Sequence, residues 1–569
     1  MPTTAEVEAL LTGPGGAFEV ALEEVGGISM KVFKARMGSL RDITALARGR
    51  GNETFIVFGD RRISFADFVD AADSVSATLV ENGIAHGDRV AVLSANNPEW
   101  CMAFWGAVDI GAILVGLNGW WKTDEILYGL EDSGAKILIA DRARFERIAG
   151  DLDSLPNLEA VFLVDADPSD FGGDARLHHF DDLLAKPGSG TPTSAIAEDD
   201  PSVIFYTSGT TGRPKGAIST HRSMLSNLQG TLYSSIAGAM ANPGAATISG
   251  TTPNASLLTS PLFHVAGCHS GLVVGLLAGI KIVMPVGRFV PTEAMRLIQE
   301  EKVTVWAAVP TMVWRVVEHA ERHDYDLSSV VAMAYGGSPS AGELQRKIAE
   351  TFPNVKSTSN AYGLTESSSA VTINSGQENA DRPNSVGRPL PVIDVRIVGA
   401  DCGDVDPGET GEVWIKGPHI MPGYWNKPEA TAESITDGWL HTGDLGHVDS
   451  DGFLYITDRA KDMIIRGGEN VYSVEIENRL VEHPDILDAA VLGVPHPTLG
   501  EEVKAVVQLA PGASLTVADI QTWVAQTLAN FKVPTYVDFT TETLPRNASG
   551  KLLKNVLRGE GEVSFAETL

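Results

Sequence analysis

The sequence has little cysteine, no repeats and no long hydrophobic run. Its 569 residues include three cysteines, Cys101, Cys268 and Cys402, which are far apart and belong to no CxxC or Cys/His cluster. This usage excludes a disulfide framework and a cysteine zinc site. We therefore expect a cytoplasmic protein, because a reducing compartment suits unpaired thiols.

Positive charge is also scarce. The chain has 43 Lys and Arg against 73 Asp and Glu, a formal net charge of −30 at pH 7. Nucleic-acid binders and proteins that adhere to anionic lipid need a basic face, so we expect no nucleic-acid partner. Two segments are local exceptions with a net charge of +3 each, residues 207–227 and residues 532–558. Small anions are therefore still allowed as ligands.

No segment has the length and apolar purity of a membrane span. The most apolar stretch, residues 265–286, contains His269, Lys281 and several glycines, so we predict a buried helix followed by a strand. The N-terminus lacks the basic and long apolar regions of a signal peptide. We expect no transmembrane segment.

Short apolar strands alternate with helical segments over most of the chain. Segments 89–94 and 136–140 are each followed by a helical segment, and 160–164 is the next strand, which predicts parallel βαβ units and an α/β fold. From about residue 386, short strands separated by Gly, Pro and Asp-Gly turns predict a β-rich subdomain. The pattern divides the chain into a large domain of βαβ-layered sheets, residues 1–458, and a small α+β C-terminal domain, residues 459–569.

A loop rich in glycine and hydroxyl groups follows the predicted strand 203–206. Residues 207–216 read TSGTTGRPKG. Glycines let backbone N–H groups converge on an anion, hydroxyls donate further hydrogen bonds, and Lys215 supplies charge. The loop therefore predicts a phosphate site, with a flexible solvent loop as the alternative.

Six further motifs follow in the chain. They are residues 335–339 (YGGSP), 362–366 (YGLTE), 411–426 (GEVWIKGPHIMPGYWN), 439–444 (WLHTGD), 458–470 (DRAKDMIIRGGEN) and 545–551 (PRNASGK). In type and order they resemble the signatures of the adenylate-forming superfamily, which includes acyl-CoA synthetases, nonribosomal adenylation domains and firefly luciferase. The chain is most similar to bacterial fatty-acyl-CoA synthetases, and the resemblance covers almost all of it.

The resemblance implies an ATP-dependent acyl-CoA synthetase with two half-reactions. A carboxylate attacks the α-phosphate of ATP to give acyl-AMP and pyrophosphate, and the thiol of coenzyme A then displaces AMP. The first step brings two anions together, so it needs cations and Mg²⁺. The expected acid is hydrophobic, either a medium or long fatty acid or a polycyclic, steroid-type acid.

The same resemblance assigns the polyphosphate and the metal. Thr210 and Glu366 would lie near Mg²⁺, although Glu366 could instead be a simple helix N-terminal carboxylate. The residues that would hold the phosphates are Thr207, Ser208, Gly209, Thr210, Thr211, Gly212 and Lys215.

The nucleoside would lie between three motifs. Asp444 would accept hydrogen bonds from the ribose hydroxyls, and Arg459 would contact the same sugar; a turn aspartate and a solvated surface charge are the alternatives. The residues expected around adenine are Gly336, Gly337, Ser338, Tyr362, Gly363 and Thr365. Their alternatives are a tight turn and an ordinary half-buried tyrosine.

Lys551 and His264 would act on the reacting carboxylate. The resemblance has Lys551 bridging the carboxylate and the α-phosphate, where an ammonium lowers their repulsion. Without the motif, a lysine so near the end of the chain would be a solubilising residue. His264 resembles the histidine of the family's aromatic motif, with a buried core histidine as the alternative.

The small domain is expected to rotate about Lys461 between the half-reactions, with the hinge at about residues 458–461. Gly467, Gly468 and Glu469 would then line a channel for the pantetheine arm of coenzyme A, or simply form a hairpin turn. The first 50 residues wrap the large domain or make a homodimer contact, and the sequence does not choose between the two.

Other functions remain open at this stage. An acyl-AMP ligase that loads a carrier protein would share every motif, although we expect no carrier domain after residue 551. A luciferase-type oxygenase is a more distant alternative. A non-catalytic nucleotide-binding regulator would not need Lys215, Glu366, Asp444, Arg459 and Lys551 all intact.

Overall fold

The structure is a computed structural model that describes residues 2–192, 194–207, 213–242, 254–336, 342–547 and 550–559. Its strands are β1 (Val20–Val25), β2 (Ile28–Phe33), β3 (Thr54–Phe58), β4 (Arg61–Ser64), β5 (Arg89–Leu93), β6 (Ile113–Gly116), β7 (Ile137–Asp141), β8 (Ala160–Val164), β9 (Leu177–His179), β10 (Pro201–Thr207), β11 (Lys215–Thr220), β12 (Ala255–Leu258), β13 (Lys281–Met284), β14 (Val305–Ala308), β15 (Ala332–Gly336), β16 (Ser357–Leu364), β17 (Ser369–Ser375), β18 (Arg388–Pro389), β19 (Asp394–Val398), β20 (Gly411–Lys416), β21 (Ile435–Thr436), β22 (Trp439–Val448), β23 (Leu454–Arg459), β24 (Ile464–Arg466), β25 (Glu469–Val471), β26 (Ile486–His496), β27 (Gly500–Leu509) and β28 (Tyr536–Thr540).

Helices connect and cover these strands. They are α1 (Thr4–Thr12), α2 (Arg41–Ala47), α3 (Phe65–Glu81), α4 (Pro98–Val108), α5 (Thr123–Ser133), α6 (Arg142–Phe145), α7 (His221–Ala241), α8 (Val265–Gly267), α9 (Val274–Ala278), α10 (Pro291–Glu301), α11 (Pro310–Val317), α12 (Gly342–Thr351), α13 (Gly376–Asp381), α14 (Pro428–Ser434), α15 (Ser473–Val481), α16 (Val517–Ala525) and α17 (Lys554–Leu557). A π-helical turn, Cys268–Val273, joins α8 to α9. None of the helices in the described ranges combines the length and apolar character that crossing a bilayer requires.

Two large sheets form the body of the fold. One has the strand order β11-β10-β6-β5-β7-β8-β9, and the other has the order β18-β17-β16-β15-β14-β12-β13-β3-β4. Neighbouring strands pair in parallel from β10 to β9 in the first sheet and from β16 to β3 in the second, and β8 is buried along its whole length. Continuous apolar runs of this kind suit parallel strands whose two faces are both covered. The βαβ units predicted from the sequence are present.

A buried helix shows how local sequence starts these elements. Pro98 occupies the first turn of α4, and the Asn97 side chain accepts a hydrogen bond of 2.7 Å from the backbone N–H of Trp100. Both features favour a helix start. Trp100, Phe104 and Trp105 are at most 1% exposed and belong to a core that includes residues of both large sheets. The helix is apolar all round because it is covered all round.

Two smaller sheets complete the chain. The predicted β-rich region forms a sheet of order β19-β20-β22-β21, with β23 paired to β22. The C-terminal region forms a sheet of order β25-β24-β27-β26, with β28 paired to β27 and helices α15 and α16 against it. The boundary predicted at residues 458–461 falls between these two sheets and stays a prediction.

The N-terminal segment packs on the large domain. Val7, Leu11, Phe18 and Phe33 form one cluster with residues of α7. Arg36 ties the segment down, since its guanidinium contacts Glu23 at 2.8 Å and Glu198 at 3.1 Å and donates to the Phe33 carbonyl at 2.9 Å. The structure shows the segment wrapped on the large domain, and the homodimer contact stays a prediction.

Loss of Arg36 should therefore destabilise the protein. Arg36→Ala leaves Glu23 without its partner, takes one of two arginines from Glu198 and removes the donor to the Phe33 carbonyl, and we expect a loss of about 1–3 kcal/mol in stability. Lys34→Ala is the matched control, because Lys34 is 62% exposed in its pair with Glu19 and such pairs contribute about 0–1 kcal/mol. The thermal unfolding midpoints of the two variants test this prediction. Equal midpoints would contradict the role of Arg36 in anchoring the N-terminal segment.

Candidate active site

The phosphate loop joins two paired strands. β10 and β11 are antiparallel, with Thr207 directly opposite Lys215. The Thr207 hydroxyl donates to the Lys215 carbonyl at 3.4 Å. The two ends of the loop are therefore held together across the sheet. The loop leads into a strand and not into a helix. Its central residues, Ser208, Gly209, Thr210, Thr211 and Gly212, lie outside the described residues.

Asp444 is the most heavily engaged of the predicted site residues. It is 3% exposed, and it lies directly opposite Arg459 in the β22–β23 pair. Its Oδ2 accepts a hydrogen bond of 2.7 Å from the Tyr362 hydroxyl, and its Oδ1 lies 3.1 Å from Arg459 Nε. Burial, together with the Asp444 charge, raises the pKa of Tyr362 and keeps the phenol a donor. Three motifs thus meet at one carboxylate.

The adenine motifs lie at the ends of adjacent strands. Gly336 ends β15, and Ala361 of β16 lies opposite it. At Gly363, a side chain is excluded, because a Cβ there would lie 1.8 Å from the Ser369 carbonyl oxygen. Thr365 begins a short 3₁₀ turn. Gly337 and Ser338 lie outside the described residues.

Glu366 lies in that turn and is held from two sides. Its backbone carbonyl accepts from Met421 N–H at 2.8 Å, and its Oε1 accepts from the Tyr424 hydroxyl at 2.9 Å. The residues after it, Ser368 and Ser369, have φ values of 50° and 103°, which non-glycine residues rarely adopt and which cluster at functional sites. The alternative, that Glu366 is simply a carboxylate at a helix N-terminus, does not fit, because the helical turn here is only three residues long.

Sequence reasoning missed Tyr424. It lies within the motif 411–426, but nothing in the local sequence distinguishes it from a structural tyrosine. Its ring also faces Lys215, whose Nζ lies 4.9 Å from the ring centroid. The contact with Glu366 joins residues 58 positions apart and exists only in the folded chain.

Lys551 enters the site from the small domain. Its loop approaches the large domain closely, because a Cβ on Gly550 would lie 3.0 Å from Thr311 Oγ1 and 3.1 Å from Val309 Cγ2. The Lys551 backbone N–H donates to Asn547 Oδ1 at 2.9 Å. Burial, followed by the charge of Arg459, lowers the pKa of Lys551 to about 8. An ordinary surface lysine would keep a pKa near 10.

His264 lies near Lys551. It caps α8, and its Nδ1 accepts from Ala266 N–H at 3.4 Å. Burial and the nearby Lys551 charge lower the pKa of His264 to about 4, so the imidazole is neutral at pH 7. Lys551 is thus among the charges that act on His264, and the role that the resemblance gives this pair stays a prediction.

A cleft of about 1230 Å³ separates the domains and is lined by Tyr362, Asp444, Arg459, Lys461 and Lys551, among others. A second cavity of about 420 Å³ is lined by Glu366 and Tyr424, with Glu412 and Glu433. These volumes suit small-molecule ligands.

The predicted coenzyme A residues lie elsewhere in this pose. Gly467 and Gly468 form the two-residue turn of the β24–β25 hairpin, with φ values of 61° and 89°. These residues and Glu469 are exposed and line neither of the two cavities named above. The hairpin alternative is therefore present, and the channel stays a prediction.

Glu366 fits a magnesium ligand. Mg²⁺ prefers oxygen donors and is commonly held by one or two carboxylates together with substrate phosphates. Glu366 offers a carboxylate at the wall of a cavity. Within the described ranges, no cluster of three or more His, Cys, Asp or Glu side chains forms a self-contained metal site.

Comparison with known proteins identifies the family. Residues 43–425 match the family described as AMP-binding enzyme, and residues 475–551 match the AMP-binding enzyme C-terminal domain. The chain belongs to the AMP-binding enzyme family.

Individual relatives agree with this assignment. A feruloyl-CoA synthase from Amycolatopsis sp. is 33% identical over 517 residues, with 90% of this chain and 96% of the relative covered. A Rhodococcus jostii ligase that joins CoA to a propanoyl group on a methyl-dioxo-octahydroindene ring system is 36% identical, with 90% and 97% covered. Among solved structures, o-succinylbenzoate CoA synthetase from Bacillus subtilis, in complex with its acyl-adenylate, has a TM-score of 0.74 at 28% identity, with 92% and 98% covered.

These findings confirm the expected class. The fold is α/β with a large N-terminal and a smaller C-terminal domain, and the enzyme is an ATP-dependent acyl-CoA ligase that works through an adenylate. ATP and CoA are the substrates of this class.

Proposed function

We propose that this enzyme joins a bulky, hydrophobic carboxylic acid to coenzyme A and that Lys551 is its central catalytic residue. The observation that carries the proposal is that Lys551, Asp444 and Arg459 line one cleft. The charge of Glu366, which lines the second cavity, also acts on the pKa of Lys551. A cation supplied by the small domain would then lie where the two reacting anions meet.

The other predicted residues divide the remaining tasks. Lys215 and the loop after Thr207 would bind the β- and γ-phosphates, and Asp444 would accept from the ribose hydroxyls. Glu366 and Thr210 would hold Mg²⁺, which supplies positive charge against the phosphate oxygens when bound. Lys551 would lower the repulsion between the carboxylate and the α-phosphate, and the neutral His264 would lie beside the carboxylate.

The acyl pocket is inferred from an unusual strand. Ala307 is exposed although β14 has paired neighbours on both sides, where Leu258 and Ala334 lie opposite it. The next strand presents Ser359 opposite Ala334. From Ala307 through Ala334 to Ser359, one face of the central sheet therefore carries small side chains. Trp306 and Tyr335 on the other face are buried in the core.

The position of this face suits an acid whose carboxylate reaches Lys551. In parallel sheets, ligands bind beyond the carboxyl ends of the strands. The end of β14 leads directly to Val309 and Thr311, against which the Lys551 loop packs. A broad floor of small residues favours a wide acyl group, and the Rhodococcus ligase, whose acyl group carries two fused rings, supports this choice.

Turnover with a panel of acids tests the proposal. We expect pyrophosphate release with polycyclic and long-chain acids, and AMP turnover that depends on coenzyme A. Acyl-AMP formation that stalls with coenzyme A and proceeds only with a carrier protein would favour the carrier ligase. No pyrophosphate with any acid would contradict the proposed activity.

The pKa of Lys551 predicts the alkaline limb of the first half-reaction. Because the pKa is lowered to about 8, the ammonium of the free enzyme is discharged as the pH rises through that value. We expect kcat/KM for ATP in pyrophosphate exchange to fall above pH 8, since kcat/KM reports the free enzyme. Lys551→Arg should lose rate but also lose this limb, because arginine stays charged.

Thioester formation from supplied acyl-AMP is the control, because it does not need Lys551. An alkaline limb of the same pKa in both half-reactions, or one retained in Lys551→Arg, would show that another group titrates.

A larger residue at position 307 should reduce the size of the carboxylic acids that the enzyme accepts. Ala307→Leu fills the exposed floor, and overpacking costs about 1–3 kcal/mol. We expect kcat/KM for polycyclic acids to fall about 5- to 150-fold, while short acids are little affected. Ala307→Gly, the matched control, should keep the polycyclic acids. Equal losses for short and bulky acids would place Ala307 outside the acyl pocket.

A further inference from the structure

Tyr424 lies between two residues of opposite charge. Its hydroxyl donates to Glu366 Oε1 at 2.9 Å. The face of its ring lies 4.9 Å from Lys215 Nζ, within the range of a cation–π contact. One side chain thus contacts both the predicted metal ligand and the predicted phosphate cation.

The backbone around Tyr424 is held firmly. It forms an isolated antiparallel bridge with Ala217, and Trp425 N–H donates to the Gly216 carbonyl at 2.7 Å. The Tyr424 N–H donates to Thr431 Oγ1 at 2.9 Å. The segment pairs with the first residues of β11, where the phosphate loop ends, so the ring moves with Lys215 and not independently of it.

This placement has an electrostatic consequence. A lysine and a glutamate that both face an ATP site attract each other, and a direct ion pair would have to be broken before nucleotide and metal could bind. Among the described residues, Lys215 forms no ion pair. The ring offers the ammonium a neutral surface, and the hydroxyl occupies only one of the two carboxylate oxygens.

We propose that Tyr424 is a positioning residue that keeps Glu366 and Lys215 apart and oriented for the magnesium-bound polyphosphate of ATP. The inference rests on the proposed function, because it assumes that both residues serve ATP. It makes Tyr424 the link between the phosphate loop and the turn that carries Glu366.

Two substitutions separate the roles of the hydroxyl and the ring. Tyr424→Phe keeps the ring beside Lys215 but frees the carboxylate, so we expect about tenfold weaker ATP binding with Mg²⁺ and unchanged binding without it. Tyr424→Leu also removes the ring and allows Lys215 to pair with Glu366. We expect ATP binding to weaken with and without Mg²⁺, about three- to tenfold in its absence.

Calorimetric titration of ATP without acid measures these affinities, since no adenylation occurs. AMP is the control ligand, because it lacks the β- and γ-phosphates, and both variants should bind it as the wild type does. Tyr233→Phe is the control substitution. Tyr233 lies on α7, where its ring packs against Phe18, away from the cleft. In exchange assays, Tyr424→Phe should need about tenfold more Mg²⁺ for half-maximal rate.

The outcomes distinguish the two proposals. Wild-type affinity of Tyr424→Phe for ATP with Mg²⁺ would overturn the role of the hydroxyl, and equal losses for ATP and AMP would show a general structural defect instead. If the wild type shows no acid-dependent exchange, the proposed function fails. If the wild type exchanges normally and only the Mg²⁺ effect is missing, the inference about Tyr424 alone fails.

Discussion

The close contact between the Gly550–Lys551 loop and the Val309–Thr311 segment is the interaction on which the site depends. Gly550 has a φ of 78° and leaves no room for a side chain against Val309 and Thr311. The contact delivers an ammonium from one domain to the carboxylates and strand ends of the other. Without it, the large domain would keep Asp444 and Glu366 in place, but the cation expected between the two reacting anions would be absent. Catalysis of the first half-reaction is thus conditional on how the domains are arranged.

Few cations of the two positively charged segments of this acidic protein are free to bind a ligand, because carboxylates partner most of them. The segment 207–227 has a net charge of +3, yet Arg222 is paired with Glu198 and Asp199, and Arg213 lies over the Tyr128 ring. In the C-terminal segment, carboxylates partner Lys532, Arg546, Lys554 and Arg558. Within the described residues, the cations of these segments without a carboxylate partner are Arg213, Lys215 and Lys551. Structural pairing therefore reserves Lys215 and Lys551 for the small anions that the overall charge of −30 would otherwise repel.

Much of the fold could be predicted because its signals are local. The strand at 160–164 matches its predicted range, since a buried apolar run marks it. The residues of the candidate site could be recognised only because the motifs and their order resemble those of a family. The geometry of the site could not be predicted in this way. The Tyr424–Glu366 bond, the exposure of Ala307 and the anchoring of Arg36 all arise from residues distant in sequence. Periodicity and composition carry no information about such contacts, because the same residue types occur with the same spacing in an ordinary core or on an ordinary surface.

The small domain places its two sets of predicted functional residues on different surfaces. Lys551 lies in the cleft, whereas Gly467 and Gly468 form an exposed hairpin turn. Both belong to elements of one packed α+β unit, since β24 and β26 pair with β27 and the Arg546 side chain contacts Asp488 of β26. A unit of this kind cannot turn both surfaces toward the same cleft at once. If the hairpin binds coenzyme A in the cleft, Lys551 must first leave the cleft. Its departure would remove the cation after the carboxylate and the α-phosphate have reacted. The order of the two half-reactions would then follow from the shape of the small domain.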